Sequence, residues 1–479
     1  MINVISHYKG RIIRLSLIAT IGGLLFGYDT AVVSGTVDSL QHFFINRLHL
    51  SADGASSVLG FTVSSALIGC IIGSLFSGMI NNRLGRKKTM MLAAVFFLIS
   101  AIGSAMPEMV FGHIGDQTTN FLPAFITYRI IGGIGVGLAS MTCPVYIAEI
   151  VPPNIRGRLV ALNQFAIVLG ILISYLANYY ISLGATDRWL NLVGWRYMFG
   201  VEAIPAILFL FFLLFVPESP YWHLLKNKDQ KARKTLFYLS PVEIAEKHMS
   251  EIKETLHHTS SKILSYGWPV LIVGFLINAF QQFTGINIVL YYAPDIFKTL
   301  GNSFQSALLQ TGLIGVVNIL FTVVSMYTVD SLGRKALLVI GSSVMSLSLI
   351  ILGFVFYFHV GGVFPLLMVI IFIAAFAVSW GPVAWVVNSE IFPSKIRNKA
   401  LAVCIAVQWA FNYIVSSTFP LLNEDAHLTK LFHHGFSFWL YGILTLVSLF
   451  FVIFMLPETR KKSLEDIEHL WLRRMKKKK

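Results

Sequence analysis

Asn82-Arg83-Leu84-Gly85-Arg86-Lys87 decides the fold, because a near copy, Asp330-Ser331-Leu332-Gly333-Arg334-Lys335, stands in the second half of the chain. Each copy follows an apolar run long enough to cross a bilayer. Three further pairs keep the same order and nearly the same separation. Glu149 with Arg156 and Arg158 returns as Glu390 with Arg397 and Lys399. Pro217-Glu218-Ser219 returns as Pro457-Glu458-Thr459, and Gln164-Phe165-Ala166 as Gln408-Trp409-Ala410. Matches that hold register across a whole half are an internal repeat. The repeat predicts two helical bundles related by an axis along the membrane normal, with a site between them near the midplane.

The 479 residues are 56% hydrophobic and 13% charged, whereas about a quarter of a soluble domain is charged. Hydropathy predicts twelve spans. Six lie at 12–36, 57–80, 89–107, 122–146, 158–181 and 196–216; six more lie at 267–297, 304–329, 336–358, 364–390, 400–421 and 435–456. The expected fold is an all-α polytopic membrane protein with twelve transmembrane helices in two pseudo-symmetric six-helix bundles. Its parts are a first bundle over 1–216, a cytoplasmic linker over 217–266, a second bundle over 267–456 and a basic tail over 457–479. Short helices are expected in the linker at 226–236 and 243–256.

A net charge of +14 in a soluble chain would suggest nucleic acid. Here placement explains it. Arg47, Arg188, Arg196, Lys298 and Lys430 fall in one set of loops and Arg129 inside a span. The remaining Lys and Arg gather at the N-terminus, the even-numbered span exits, the linker and the tail, so both termini are expected in the cytoplasm. Lys476 to Lys479 reads as a solvated tail, with contact to anionic lipid as the alternative. No cleavable signal is evident: Lys9, Arg11 and Arg14 lead straight into the first span. Cys70, Cys143 and Cys404 fall within spans and offer neither a disulfide framework nor metal spacing. Gly133-Ile134-Gly135-Val136-Gly137 imitates a nucleotide loop but follows no strand, and small residues inside a span allow close helix packing. No cofactor, metal site or catalytic constellation is expected, and no enzyme activity.

Polar residues inside the spans are expensive and therefore informative. Gln281-Gln282-Phe283-Thr284-Gly285-Ile286-Asn287 interrupts the apolar run 268–297. Such groups must line a polar cavity or bond one another across helices. Amides without charge suit a neutral ligand covered in hydroxyls. Gln164, Asn318, Trp385 and Gln408 beside Trp409 are expected to join them, with Phe26 near by. An indole offers one donor and a flat apolar face. Gly381 and Pro382 are expected to break the tenth span, as Gly285 breaks the seventh.

Asp29, Arg129 and Glu202 reach similar depth in the first, fourth and sixth spans. An isolated charge there costs at least ~2.5–3.5 kcal/mol, so the three are expected to meet. Either Asp29 carries a proton and releases Arg129 when neutral, or the pair is a static scaffold. At the cytoplasmic ends, Glu149 and Glu390 with Arg86, Arg156, Asp330, Arg334 and Arg397 form a candidate gate that clamps the bundles together when the outside is open. The alternative is that these basic residues only set topology.

In these residues the chain resembles the sugar porters of the major facilitator superfamily, from about residue 11 to about residue 468. The resemblance implies sugar-binding roles for Gln164, Gln281, Gln282, Asn287, Asn318, Trp385 and Gln408, with Phe26, Tyr291 and Trp409 as aromatic neighbours. It implies proton coupling through Asp29 and Arg129, since passive members commonly have a neutral residue at the first of these positions. It further implies a monomeric carrier in a bacterial inner membrane that imports a monosaccharide, D-xylose foremost, with a proton. A passive facilitator and a non-transporting sensor remain as alternatives. Tyr221 and Asn398 depart from the family's usual Arg and Gly. Ile171 stands where xylose symport goes with Gln and glucose facilitation with Ile.

Overall fold

The computed structural model describes residues 2–109, 112, 119–257, 263–393, 396–460, 467 and 471. The tail lysines Lys476 to Lys479 and the side chains of Arg397 and Asn398 lie outside what is described. Among the described residues, twelve helices are long and apolar enough to cross a membrane, and we number them in chain order. Spans 1 to 6 are Gly10–Gly35, Ala52–Leu84, Arg86–Ala105, Leu122–Ile150, Ile155–Ser182 and Asp187–Leu213. Spans 7 to 12 are Trp268–Thr299, Phe304–Leu332, Arg334–Tyr357, Phe364–Asn388, Lys399–Glu424 and Phe436–Phe454. Several outrun the hydropathy bounds because their ends are polar and capped. Span 2 begins where Ser51 Oγ accepts the Gly54 N–H at 3.3 Å.

Small residues set the packing inside the first half. Spans 1 and 5 touch backbone to backbone, since a Cβ on Gly27 would stand 1.9 Å from the Ile167 carbonyl oxygen. Span 2 packs the same way on span 4. The two halves meet where span 2 lies on span 11 and span 5 on span 8. Polar contacts among the described residues cross that seam at the end away from the Gly-Arg-Lys turns. Lys298 Nζ pairs with Asp38 at 3.1 Å, Ser56 Oγ donates to Glu424 at 2.6 Å, Gln305 Nε2 to the Ser182 carbonyl at 3.1 Å, and the Tyr175 hydroxyl to the Leu290 carbonyl at 2.8 Å. The far end is therefore shut.

Spans 7 and 10 are interrupted. Span 7 stops at Phe283 and restarts at Ile286, with Gly285 at φ 78° making the turn that an L side chain resists. The break in span 10 falls at Ser379, between Phe364–Val378 and Trp380–Ile391, and not at Gly381 and Pro382 as the sequence suggests. Pro382 has no N–H for the Val378 carbonyl four residues back, and its ring crowds that carbonyl, so the helix yields one turn earlier. The freed Val378 carbonyl accepts the Ser325 hydroxyl from span 8 at 2.9 Å. Between the halves run three short helices, Pro220–Leu225, Asp229–Leu239 and Val242–His257, which share a small core of Leu224, Ala232 and Ile252.

Candidate functional site

One cavity of about 100 Å³ lies between the halves, level with the breaks in spans 7 and 10. That holds several waters at ~10–15 Å³ each, the scale of one small sugar. All ten residues expected from the sequence line it: Phe26, Gln164, Gln281, Gln282, Asn287, Tyr291, Asn318, Trp385, Gln408 and Trp409. Spans 1 and 5 supply one wall, and spans 7, 8, 10 and 11 the other. The amides hold one another in place. Asn287 Nδ2 donates to Gln282 Oε1 at 2.5 Å, Gln282 Nε2 to Gln281 Oε1 at 3.4 Å, and Gln281 Nε2 to the Trp380 carbonyl at 2.9 Å. Gly285 allows this relay, because it ends the first half-helix and brings Asn287 back beside Gln282. Two buried polar atoms at the wall lack any protein partner: Gln408 Oε1 and Trp409 Nε1. Buried polar groups are normally paired, so an acceptor and a donor left without partners on two lining residues can turn to a ligand. The Phe26 and Trp409 rings meet across the seam at 5.3 Å.

Three polar lining residues were missed by sequence reasoning: Thr30, Thr322 and Asn412. Each stands four residues after a residue that was found, namely Phe26, Asn318 and Gln408. One helical turn returns a side chain to the same face, so the signal was present. Asn412 Nδ2 donates to the Tyr291 hydroxyl at 3.4 Å.

Asp29, Arg129 and Glu202 come together as expected, all fully or almost fully buried. Arg129 Nη1 donates to Asp29 Oδ1 at 2.6 Å and Nη2 to the Asp29 carbonyl at 3.0 Å, with the guanidinium 5.1 Å from the Phe199 ring centre. Glu202 lies against the pair, its carboxyl within hydrogen-bonding reach of the Asp29 carboxyl, and no other group donates to either Glu202 oxygen or to Asp29 Oδ2. Two carboxylates thus share one guanidinium away from water. One proton added there would supply the missing donor and balance the charge.

The clamp across the halves is expected with the outside open; here, with the far end shut, the acid–base pairs at the basic end close within each half. Arg86 pairs with Glu149 at 2.7 Å and Arg334 with Glu390 at 2.8 Å, each within its own half. The reason is local: each Arg opens the span that follows its Gly turn, directly beside the exit of its own half's acidic helix. Ser219 and Thr459 hydroxyls donate to the same two carboxylates. Arg156 takes no part, since its Nε donates to the Val151 carbonyl at 3.4 Å, and Asp330 is an exposed partner of Arg334 at 3.0 Å. Sequence reasoning overlooked Glu218 and Glu458. Glu218 accepts the backbone N–H of Arg86 at 2.8 Å, and Glu458 that of Lys335 at 2.9 Å, capping spans 3 and 9. Burial pushes the Glu458 carboxyl up, but backbone N–H groups of Arg460, Lys335, Arg334 and Thr459 outweigh it and hold it below the usual carboxylate range. Tyr221 lies under Arg86, its ring centre 5.4 Å from the guanidinium carbon.

Twelve spans in two repeated halves, closing round one uncharged polar cavity, define a multi-pass membrane carrier of the major facilitator architecture. The chain belongs to the sugar (and other) transporter family, whose model matches residues 15–471. The D-xylose-proton symporter of Escherichia coli K12 is 49% identical over 469 residues, covering 96% of each chain. The glucose facilitated diffusion protein of Zymomonas mobilis is 39% identical over 467 residues, covering 97% of this chain and 98% of that one. The inward-open conformation of the E. coli xylose transporter XylE superposes with a TM-score of 0.86 at 46% identity, covering 96% of this chain and 100% of that chain.

Proposed function

We propose that the protein is a proton-coupled sugar symporter that imports a monosaccharide, D-xylose foremost, by alternating access. One observation carries this reading: a sugar-sized cavity lined by amides and indoles from both halves, in a protein that buries two carboxyls, Asp29 and Glu202, beside the single guanidinium of Arg129. Sugar hydroxyls can donate to Gln408 Oε1 and accept from Trp409 Nε1, while the Gln281, Gln282 and Asn287 relay reorients to meet the rest. The ten lining residues are the binding set, and Asp29 with Arg129 and Glu202 is the coupling set. The 49% identity to a D-xylose-proton symporter supports both.

In this reading the halves 1–216 and 267–456 rock about the cavity, and the linker 217–266 and tail 457–479 are cytoplasmic. The shut far end faces outward, so this is an inward-facing state. Arg86, Glu149, Arg334 and Glu390 brace each half at the cytoplasmic mouth. The protein acts as a monomer in a bacterial inner membrane. Moving one charge through 100 mV supplies ~2.3 kcal/mol, and ~1.4 kcal/mol is tenfold, so one proton per sugar sustains about fortyfold accumulation.

A second reading, a passive glucose facilitator with Asp29 as scaffold, draws on Ile171 in the cavity wall and on the Zymomonas relative. Uptake of a labelled sugar panel in a transport-null host, with and without an uncoupler, decides. Symport predicts xylose accumulation that the uncoupler abolishes; a facilitator equilibrates its sugar and ignores the uncoupler.

A further inference from the structure

Prolines inside spans leave a carbonyl four residues earlier without its intrahelical donor. Pro382 frees the Val378 carbonyl, which Ser325 caps. Pro420, inside span 11, frees the Ser416 carbonyl, and the Tyr292 hydroxyl donates to it at 2.9 Å. Both repairs stay inside the second half. Pro294, inside span 7, frees the Leu290 carbonyl, and here the donor comes from the opposite half: the Tyr175 hydroxyl of span 5, at 2.8 Å. Tyr175 and Leu290 are 1% and 8% exposed, so water does not take the hydroxyl's place in this state. Leu290 also lines the cavity, and Ile171 lines it one turn below Tyr175. The bond therefore joins the cavity wall of one half to that of the other, just on the far side of the ligand.

We propose that Tyr175 is a positioning residue of the transport cycle, which latches the far half of span 7 onto span 5 by capping the carbonyl that Pro294 leaves free. The latch rests on the alternating-access reading above. With the far side shut, the carbonyl has no other donor outside its helix, and losing the hydroxyl leaves it bare. With the far side open, water caps it and the hydroxyl matters little. Tyr175 thus stabilises the far-closed state alone, and does so through Leu290 rather than by touching sugar.

Leu172 reports on the same seam, because its Cδ1 would stand 3.0 Å from a Cβ on Gly315 of span 8. A Leu172→Cys background in right-side-out membrane vesicles is labelled from outside with an impermeant maleimide; the native cysteines are all buried. Tyr175→Phe keeps the ring, removes the donor, and should raise the labelling rate about five- to 150-fold, the range for an unpaired buried carbonyl. Adding Pro294→Ala returns an N–H to Leu290 and should bring the rate back toward the parent. Labelling of Tyr175→Phe at the parent rate overturns the latch. So do effects of the two substitutions that simply add, because a shared carbonyl requires coupling. Should Tyr175→Phe fail to fold, folding of the double variant supports the shared carbonyl, and failure of both overturns it. Sugar counterflow through the Leu172→Cys background runs in parallel. Absent exchange sinks the carrier reading itself, whereas exchange with unchanged labelling sinks only the latch.

Discussion

Arg129 Nη1 donates to Asp29 Oδ1 at 2.6 Å, while the Glu202 carboxyl lies against the Asp29 carboxyl with no donor from any other group. The guanidinium is matched to one carboxylate, and the second has no donor until a proton arrives. The proposed proton and sugar sites share span 1: Asp29 is flanked by the cavity residues Phe26 and Thr30. Asp29→Asn keeps the shape and one neutral partner for Arg129, with Glu202 left to balance the charge. Counterflow should persist near the parental rate while uphill accumulation disappears. Accumulation by Asp29→Asn under a proton gradient would remove Asp29 from the coupling set.

Gln408 and Gln281 should separate binding from stability. Gln408 Oε1 has no partner within the protein, whereas Gln281 Nε2 ties span 7 to the Trp380 carbonyl of span 10. Gln408→Ala removes an orphan, so the empty protein should melt no lower than the parent, while sugar affinity falls about five- to 150-fold, the ~1–3 kcal/mol of a lost buried hydrogen bond. Gln281→Ala should lower both. A thermal shift assay with and without sugar checks the split, and equal melting losses would refute it.

Gly85 should tolerate substitution worse than Gly333. Both sit at positive φ, 92° and 94°, where a side chain costs about 1–3 kcal/mol. A Cβ on Gly85 would also meet Glu218 Oε2 at 2.2 Å, against 3.0 Å from Gly333 to Glu458 Oε2. Gly85→Ala should displace the Glu218 cap from span 3 and lower the melting temperature more than Gly333→Ala does. The reverse order would show that Glu218 does not need the glycine.

The Glu458 cap carries a pH signature. Its carboxyl is held below the ordinary range when folded, so the cap stabilises the protein above the unfolded value of about 4.3 and is lost as pH falls through the depressed folded value. Glu458→Gln should therefore melt below the parent at pH 7 and converge with it toward pH 3. A gap that is constant with pH would mean the carboxylate charge contributes nothing to the cap.

Spans, repeat and cavity were all legible in the sequence, because hydrocarbon leaves few places for an amide or a charge. That scarcity marked Gln282, Asn287 and Asp29 without coordinates. Threonines are cheap inside spans, since their hydroxyls bond their own helix, as Thr30 does to the Phe26 carbonyl at 2.9 Å. Thr30 and Thr322 therefore raised no alarm, and Asn412 needed the one-turn step from Gln408. The break at Ser379 was misplaced by reading Pro382 as the site of strain rather than its cause. Repeated charges reveal which residues act together, but not whether a pair closes within a half or across the seam; with the far end shut, Arg86–Glu149 and Arg334–Glu390 each close within a half.

Proteoliposomes holding the purified protein and a trapped pH dye test the central claim most directly. Addition of D-xylose without any imposed gradient should acidify the lumen as sugar enters, and a proton gradient should then drive xylose above equilibrium. Sugar entry with no proton movement would contradict the account, leaving the cavity as a passive path and the buried Asp29, Arg129 and Glu202 as scaffold.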